Sequence, residues 1–256
     1  MKYKIFVFIL GLFFTSTFGF FANAKELVVA HDTNLMPFEF KDKEGNFVGF
    51  DIELWEHIAE IANISYTFQP MDFNGIIPGL QTGNIDIAIS GMTITPERAK
   101  VILFSQPYYE SGLMILVRAG EDSISKLEDL VGKTVGVKTG TSSVDFMKSF
   151  GKQKSLKLFP TNDGMFFDLM TGGVDAVIFD APVLQYFAFS AGKGKVKLVG
   201  PKYKGQPYGI AFRKNSEELV QKVNTALNEL KRNGIYTELY KKWFGLSPEE
   251  YIETNN

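Results

Sequence analysis

A short segment of the chain, residues 83–109, gathers groups that can bind a small carboxylate. It begins with an apolar, β-rich run at 85–89, which predicts a buried strand. Small polar residues follow the run: Ser90, Gly91 and Thr93. Thr95-Pro96-Glu97 is then typical of a helix start, with threonine as N-cap, proline at the first helical position and an acid in the first turn.

Arg98 lies in that first turn, beside free backbone N–H groups and a threonine hydroxyl. All of these groups are hydrogen-bond donors, and a guanidinium binds a carboxylate in a planar, bidentate way that lysine cannot copy. The alternative is an ordinary surface arginine on a short helix. We therefore interpret Arg98 as the main candidate for holding a carboxylate.

The first 24 residues predict a secretory signal peptide. Lys2 and Lys4 precede an apolar run at 5–14, and Ala22-Asn23-Ala24 offers a cleavage site. A membrane anchor is the alternative, because aromatic residues extend the run to Phe21. The expected location is the periplasm, after cleavage behind Ala24.

Composition excludes several classes of protein. The chain has no cysteine, which rules out disulfides, thiolate metal sites and lipid attachment at a cysteine. Without residues 1–24 it carries 25 basic and 29 acidic residues, a mild acidity that argues against a nucleic-acid partner. His31 and His57 are its only histidines and lack metal-ligand spacing, so we expect no metal and no cofactor.

Strand-like and helix-like segments alternate, which predicts an α/β fold. The predicted strands are 27–30, 85–89, 134–137 and 174–179, and the predicted helices are 51–63, 74–82, 144–150, 163–170, 180–191 and 216–233. Residues 80–89 and 169–178 repeat one pattern of helix end, Thr-Gly turn and apolar strand, which suggests two similar lobes.

Two extended segments are candidates to join these lobes. We predict a first lobe from 25–108 plus 209–256, a second lobe from 113–203, and a hinge from 109–112 and 204–208. The helix at 216–233 is expected to pack back on the first lobe.

Motifs spread along the chain resemble those of the family 3 solute-binding proteins of bacterial ABC importers, and in particular its glutamine-binding members. These motifs are Asp32-Thr33, Pro37-Phe38-Glu39-Phe40, Val48-Gly49-Phe50-Asp51, Met71-Asp72-Phe73-Asn74-Gly75-Ile76-Ile77-Pro78, Gly91-Met92-Thr93-Ile94-Thr95-Pro96-Glu97-Arg98, Lys138-Thr139-Gly140-Thr141, Asp180-Ala181-Pro182, Tyr208-Gly209-Ile210-Ala211-Phe212 and Lys241-Lys242-Trp243-Phe244-Gly245. The resemblance covers nearly all of the chain after residue 24.

The resemblance implies a type II periplasmic binding protein with two lobes, each a mixed sheet flanked by helices, joined by two hinge strands. It implies a polar amino acid in the cleft and, as partner, an ABC permease in the inner membrane; a monomer is expected. It assigns the α-carboxylate to Arg98 with Thr93 and Gly91, the α-ammonium to Asp180, and the ligand's aliphatic part to Phe73.

The full set of predicted ligand-binding residues is Asp32, Leu35, Phe73, Ser90, Gly91, Thr93, Arg98, Lys138, Thr141, Ser142, Phe179 and Asp180. Asp32 and Lys138 are assigned to the ligand's side chain, and each is otherwise a solvated loop charge. Asp180 is otherwise an N-cap, and Phe73 a core residue.

The charges of this set balance, because Arg98 and Lys138 oppose Asp32 and Asp180. A carboxylate side chain would face Asp32 and a cationic one would face Lys138, whereas an amide can donate to the first and accept from the second. Glutamine or asparagine follows, and the resemblance favours glutamine. Glutamate and histidine remain as alternatives.

Three positions depart from the glutamine-binding pattern. Leu35 stands where an aromatic residue covers the ligand, Phe179 stands where a histidine precedes the aspartate, and Ser142 replaces a glycine. These changes alter one wall of the predicted site and leave the α-amino and α-carboxyl anchors intact.

Two rival functions are open at this point. An enzyme on the same scaffold, similar to a cyclohexadienyl dehydratase, would need a general acid in the cleft, for which Glu39 and Glu110 are the candidates. A ligand-sensing module of a receptor is the other rival.

Overall fold

Two five-stranded sheets, each covered by helices, and one two-stranded sheet make up the computed structural model, which describes residues 26–248. The predicted signal peptide lies outside the described residues. The strands are β1 (Leu27–His31), β2 (Phe40–Lys41), β3 (Phe47–Val48), β4 (Tyr66–Pro70), β5 (Ile87–Ala88), β6 (Leu103–Phe104), β7 (Tyr109–Arg118), β8 (Thr134–Lys138), β9 (Ser155–Phe159), β10 (Ala176–Asp180), β11 (Val196–Tyr208) and β12 (Ala211–Phe212).

The helices account for most of the remaining chain. They are α1 (Phe50–Ile61), α2 (Phe73–Thr82), α3 (Pro96–Ala99), α4 (Ser142–Phe150), α5 (Asn162–Thr171), α6 (Ala181–Phe189), α7 (Glu217–Asn233) and α8 (Ile235–Phe244), with a 3-10 turn at Leu127–Leu130. Among the described residues, none of these helices has the length and apolar character needed to cross a membrane.

The two sheets share one topology. The first has the order β4-β1-β5-β12-β6 and the second the order β9-β8-β10-β7-β11. In each, the first three strands are parallel and the last two run antiparallel to their neighbours. The predicted two-lobe α/β fold is confirmed, and the repeated pattern at 80–89 and 169–178 falls on equivalent helix–strand units, α2–β5 and α5–β10.

The chain changes sheet twice. It leaves the first sheet after β6, builds the whole second sheet, and returns with β12. The predicted hinge segments lie side by side where β7 and β11 begin and end their pairing, with Tyr109 opposite Tyr208 and Ser111 opposite Gln206. The exact lobe and hinge boundaries stay a prediction.

Several element ends differ from the sequence-based expectation. Only Ile87–Ala88 of the predicted strand 85–89 is a strand, because the Asp86 carboxylate accepts from the Val28 N–H at 3.0 Å and takes the place of a ladder bond. Helix α4 begins at Ser142 instead of residue 144, and α6 ends at Phe189 instead of residue 191.

Helix α7 packs its apolar face on the first lobe, as predicted. Its buried side chains lie at helical spacing and include Val223, Leu227 and Leu230. They belong to the same core cluster as Trp55 and Ile58 of α1, and α8 packs beside them. The C-terminal part of the chain therefore covers the sheet that the N-terminal part builds.

Gly49 provides a test of how the start of α1 is fixed in the first lobe. It precedes α1 with φ of 138°, and a Cβ there would lie 2.0 Å from the Phe38 carbonyl oxygen. We expect Gly49→Ala to destabilise the fold by about 3 kcal/mol, a drop in Tm of roughly 6–12 °C by thermal unfolding.

Gly45→Ala is the matched control. Gly45 also has a positive φ, 89°, but a Cβ there meets nothing within 4 Å. Only the backbone strain of about 1 kcal/mol is expected. Equal losses in the two variants would show that the contact with Phe38 does not constrain the start of α1.

Candidate functional site

All twelve residues predicted to bind a ligand line one small, nearly closed cavity between the two lobes. The first lobe supplies seven lining residues from the loops after β1 and β5 and from the starts of α2 and α3: Asp32, Leu35, Phe73, Ser90, Gly91, Thr93 and Arg98. The second supplies five from the ends of β8 and β10 and the start of α4: Lys138, Thr141, Ser142, Phe179 and Asp180.

Arg98 is a buried cation without a carboxylate at ion-pair distance among residues 26–248. The Thr95 hydroxyl accepts from the Arg98 N–H at 3.2 Å, which confirms the predicted helix start. The guanidinium lies over the Phe73 ring, 5.5 Å from its centroid, and donates to the carbonyls of Thr93 at 2.8 Å and Gly140 at 3.1 Å.

The surroundings of the guanidinium are unfavourable for its charge. Arg98 is only 8% exposed, and burial lowers its pKa. Within residues 26–248 no carboxylate lies within ion-pair distance of it. A buried charge without a counter-ion is costly, so an anion entering the cavity would stabilise this group.

Asp180 is the corresponding anion on the second lobe. It ends β10 at the start of α6, and one carboxylate oxygen accepts from the Tyr208 hydroxyl at 2.7 Å. Burial raises the pKa of Asp180 to about 6, although the Tyr208 bond and the charges of Arg98 and Lys138 oppose the shift. A cationic group in the cavity would stabilise the ionised form.

Lys138 and Asp32 form a direct ion pair between the lobes. The Lys138 ammonium donates to one carboxylate oxygen of Asp32, and the two side chains are 1% and 3% exposed. The other Asp32 oxygen accepts from the N–H groups of Thr33 at 2.6 Å and Asn34 at 3.2 Å. The sequence assigned both residues to the ligand's side chain, and the structure shows that they also bind each other directly.

The turn after β5 forms the cavity wall beside Arg98. Gly91 has φ of 50°, which strains any other residue, and a Cβ there would lie 2.6 Å from the Leu35 side chain and 3.3 Å from that of Tyr208. The expectation of free backbone N–H groups is wrong for Gly91, since its N–H donates to the Asp51 carboxylate at 2.8 Å. That carboxylate therefore supports the wall from behind.

The N-terminus of α4 also faces the cavity. Thr141 is its N-cap residue, and the Thr141 hydroxyl donates to the Lys138 carbonyl at 2.7 Å. The Ser142 hydroxyl lies 3.4 Å from that of Thr93 in the other lobe. A helix N-terminus attracts anions, and the threonine in N-cap position was the sequence signal for this earlier start.

A group of contacts joins the lobes at the edge of the cavity. The Asn34 side chain donates to the Asp163 carboxylate at 2.9 Å and accepts from the Asp163 N–H at 3.1 Å. The Asn34 carbonyl accepts from Asn162 at 2.9 Å and Lys138 at 3.2 Å. Sequence reasoning missed Asn34, because only the approach of two distant segments creates these bonds.

Neither acid named for the enzymatic alternative lines the cavity. Glu39 is fully buried behind Ser90, and Glu110 is exposed on β7. Over the described part of the chain, no three His, Cys, Asp or Glu side chains are grouped to hold a metal ion.

Comparison with known proteins agrees with this geometry. The chain is 36% identical over 234 residues to the arginine-binding extracellular protein ArtP of Bacillus subtilis (strain 168), with 90% of each chain covered. It is similar to an ancestral arginine-binding protein solved with arginine and with glutamine, at 45% and 46% identity, with a TM-score of 0.82 for each. Both comparisons cover 86% of this chain and 98% of the other.

The family of bacterial extracellular solute-binding proteins, family 3, matches residues 27–246. That match spans both sheets and every cavity-lining residue. The chain is therefore a member of the family 3 bacterial extracellular solute-binding proteins.

Proposed function

We propose that this protein is the periplasmic binding component of an ABC importer for a polar amino acid, and that its ligand is L-glutamine. The observation that carries the proposal is the pair of buried, opposite charges, Arg98 and Asp180, that line one cavity without an ion-pair contact to each other. An α-amino acid carries one carboxylate and one ammonium on neighbouring atoms. It supplies the missing partner of each group at once.

The other two charges govern the ligand's side chain. Because Asp32 and Lys138 already form an ion pair, the cavity has no spare negative charge for a cationic side chain and no spare positive charge for an acidic one. A side-chain amide can accept from the Lys138 ammonium and donate to the Asp32 carboxylate. Arginine would place a guanidinium near the Lys138 ammonium, which disfavours it on charge.

Relatives make arginine the competing ligand. ArtP is named for arginine, and the ancestral protein was solved with both arginine and glutamine. The same scaffold therefore accommodates both side chains in that protein. The neutral ion pair between Asp32 and Lys138 is our reason for choosing glutamine here.

Closure of the two lobes is the proposed mechanism. The ligand binds first to Arg98 and Phe73 of the first lobe, and Asp180 and Lys138 of the second lobe then complete its contacts. Rotation occurs at 109–112 and 204–208. Ligand binding stabilises the closed form because only that form satisfies both ends of the zwitterion, and the permease then recognises the closed protein as a monomer.

A ligand screen tests this proposal. We expect L-glutamine to raise the Tm more than any other of the twenty amino acids in a thermal-shift experiment, because ligands that bind only the native state stabilise it. A larger Tm shift with arginine would show that the protein prefers a cationic ligand to glutamine. No shift with any amino acid, together with turnover of prephenate or arogenate, would show an enzyme instead.

Arg98 is expected to provide the main carboxylate contact. Arg98→Ala should weaken glutamine binding by about 2–5 kcal/mol in calorimetry, because a desolvated carboxylate loses its charged partner. Arg213→Ala is the control: Arg213 is a partly exposed arginine of the same lobe, paired with Asp86 at 3.2 Å. Affinity within threefold of wild type for the Arg98 variant would exclude this role.

Asn34 is expected to hold the lobes together after closure. Asn34→Ala removes both side-chain bonds to Asp163 and should speed glutamine release about tenfold, with little change in the association rate, since these contacts form after binding. Stopped-flow fluorescence measures both rates. Asn46→Ala, on the exposed β2–β3 turn, is the control, and equal release rates in the two variants would contradict the assignment.

A further inference from the structure

Two carboxyl groups lie directly behind the wall of the cavity. Glu39, in the loop before β2, and Asp51, in α1, are both 0% exposed and neither lines the cavity. One oxygen of Glu39 accepts from the Ser90 hydroxyl at 2.7 Å and from the Asp32 N–H at 3.2 Å. Three elements of the first lobe therefore meet at this carboxyl.

Asp51 supports the next residue of the same wall. One of its oxygens accepts from the Gly91 N–H at 2.8 Å and from the Tyr108 hydroxyl at 2.8 Å. Together, Glu39 and Asp51 thus bind two consecutive residues of the cavity wall, Ser90 and Gly91, through a hydroxyl and an amide.

The other oxygen of each carboxyl, Glu39 Oε2 and Asp51 Oδ1, is buried and has no hydrogen-bond partner among residues 26–248. The two side chains are close enough to interact with each other. Two buried carboxylates in contact repel each other, and a single proton between them turns this repulsion into a hydrogen bond.

The charged and titratable groups around the pair are compatible with one proton shared between Glu39 and Asp51. Asp32 adds a third acid, and the cation near it, Lys138, is already paired with it. Tyr108 and Tyr208 are neutral, because burial raises the pKa of each hydroxyl. Burial lowers the pKa of His31, so this ring is neutral as well.

The direction of the shifts agrees with the contacts. Burial, Asp51 and Asp32 raise the pKa of Glu39 well above its ordinary value, and burial raises the pKa of Asp51 to about 6. At neutral pH the proton therefore resides mainly on Glu39, and Asp51 is the charged acceptor for Gly91.

We propose that Glu39 and Asp51 share one buried proton, and that this acid pair is the positioning element that holds Ser90 and Gly91 in place at the carboxylate end of the ligand site. The positioning role rests on the proposed function, whereas the shared proton is a property of the protein without ligand. Both acids act through the wall and do not touch the ligand.

The shared proton predicts a specific dependence of stability on pH. Above pH 6.5 the native protein keeps a proton that the unfolded chain has lost, so the folding equilibrium constant of the wild type falls about tenfold per pH unit from this pair. Glu39→Gln keeps the acceptor oxygen and supplies a permanent N–H toward Asp51. The ratio of its folding constant to that of the wild type should rise with pH above about 6.5, by up to tenfold per pH unit, until Glu39 of the wild type ionises.

Urea unfolding of the ligand-free protein measures this ratio, with Glu44→Gln as the control. Glu44 is an exposed acid in the turn between β2 and β3, so its removal changes the net charge equally and should leave the ratio flat. A flat ratio for Glu39→Gln would show that both acids are ionised, and would overturn the shared proton.

The positioning role has its own measurement. Asp51→Leu removes the shorter of the two hydrogen bonds of the Gly91 N–H and the acceptor that fixes the Tyr108 hydroxyl, which accepts the longer one at 3.1 Å. We therefore expect amide exchange at Gly91 to accelerate at least tenfold in the ligand-free protein. The amide of Ile89, which donates to the Ala30 carbonyl at 3.0 Å, is the internal reference against global unfolding. Unchanged exchange at Gly91 would overturn the positioning role.

Ligand binding separates this inference from the proposed function. L-glutamine should bind Asp51→Leu at least tenfold more weakly than wild type and the exposed-acid control Glu44→Gln within threefold of wild type. If the wild type binds no amino acid, the proposed function fails, while the stability ratio and the exchange at Gly91 still decide whether the acid pair exists and holds the wall.

Discussion

The structure depends on two opposite charges that are buried in one cavity without direct contact with each other. The Arg98 guanidinium donates hydrogen bonds to the carbonyls of Thr93 and Gly140, and the Asp180 carboxylate accepts one from the Tyr208 hydroxyl. Neither bond neutralises a charge, and low polarity around both groups makes the missing counter-ions costly. A zwitterion is the simplest molecule that removes both costs, and it must touch both lobes to do so.

The fold makes this arrangement possible because its two sheets repeat one topology. In such sheets the parallel strands end at a common edge, and loops after those ends carry the binding groups. Arg98 follows β5 in the first sheet and Asp180 ends β10, the equivalent strand of the second. The two charges therefore come from corresponding places, brought face to face by β7 and β11.

A rigid wall is needed if one cation is to recognise a carboxylate. Ser90 and Gly91 are too small to be held in place by side-chain packing. The buried acids Glu39 and Asp51 provide the hydrogen-bond acceptors that hold them. The Asp32–Lys138 pair performs a related task across the lobes. Buried polar groups of this kind specify one arrangement only when all members have partners.

The sequence by itself determined the alternation of strands and helices, the Thr95–Arg98 helix start and the twelve residues that line the cavity, because local spacing and family motifs encode them. It did not reveal the ion pair between Asp32 and Lys138, the bonded amide of Gly91, the contacts of Asn34, or the acid pair of Glu39 with Asp51. Their separations along the chain run from 12 positions for Glu39 and Asp51 to 129 for Asn34 and Asp163. Only the tertiary structure decides them, since burial and proximity, which set the charge and hydrogen bonding of a side chain, arise when each lobe folds and the two lobes pack together.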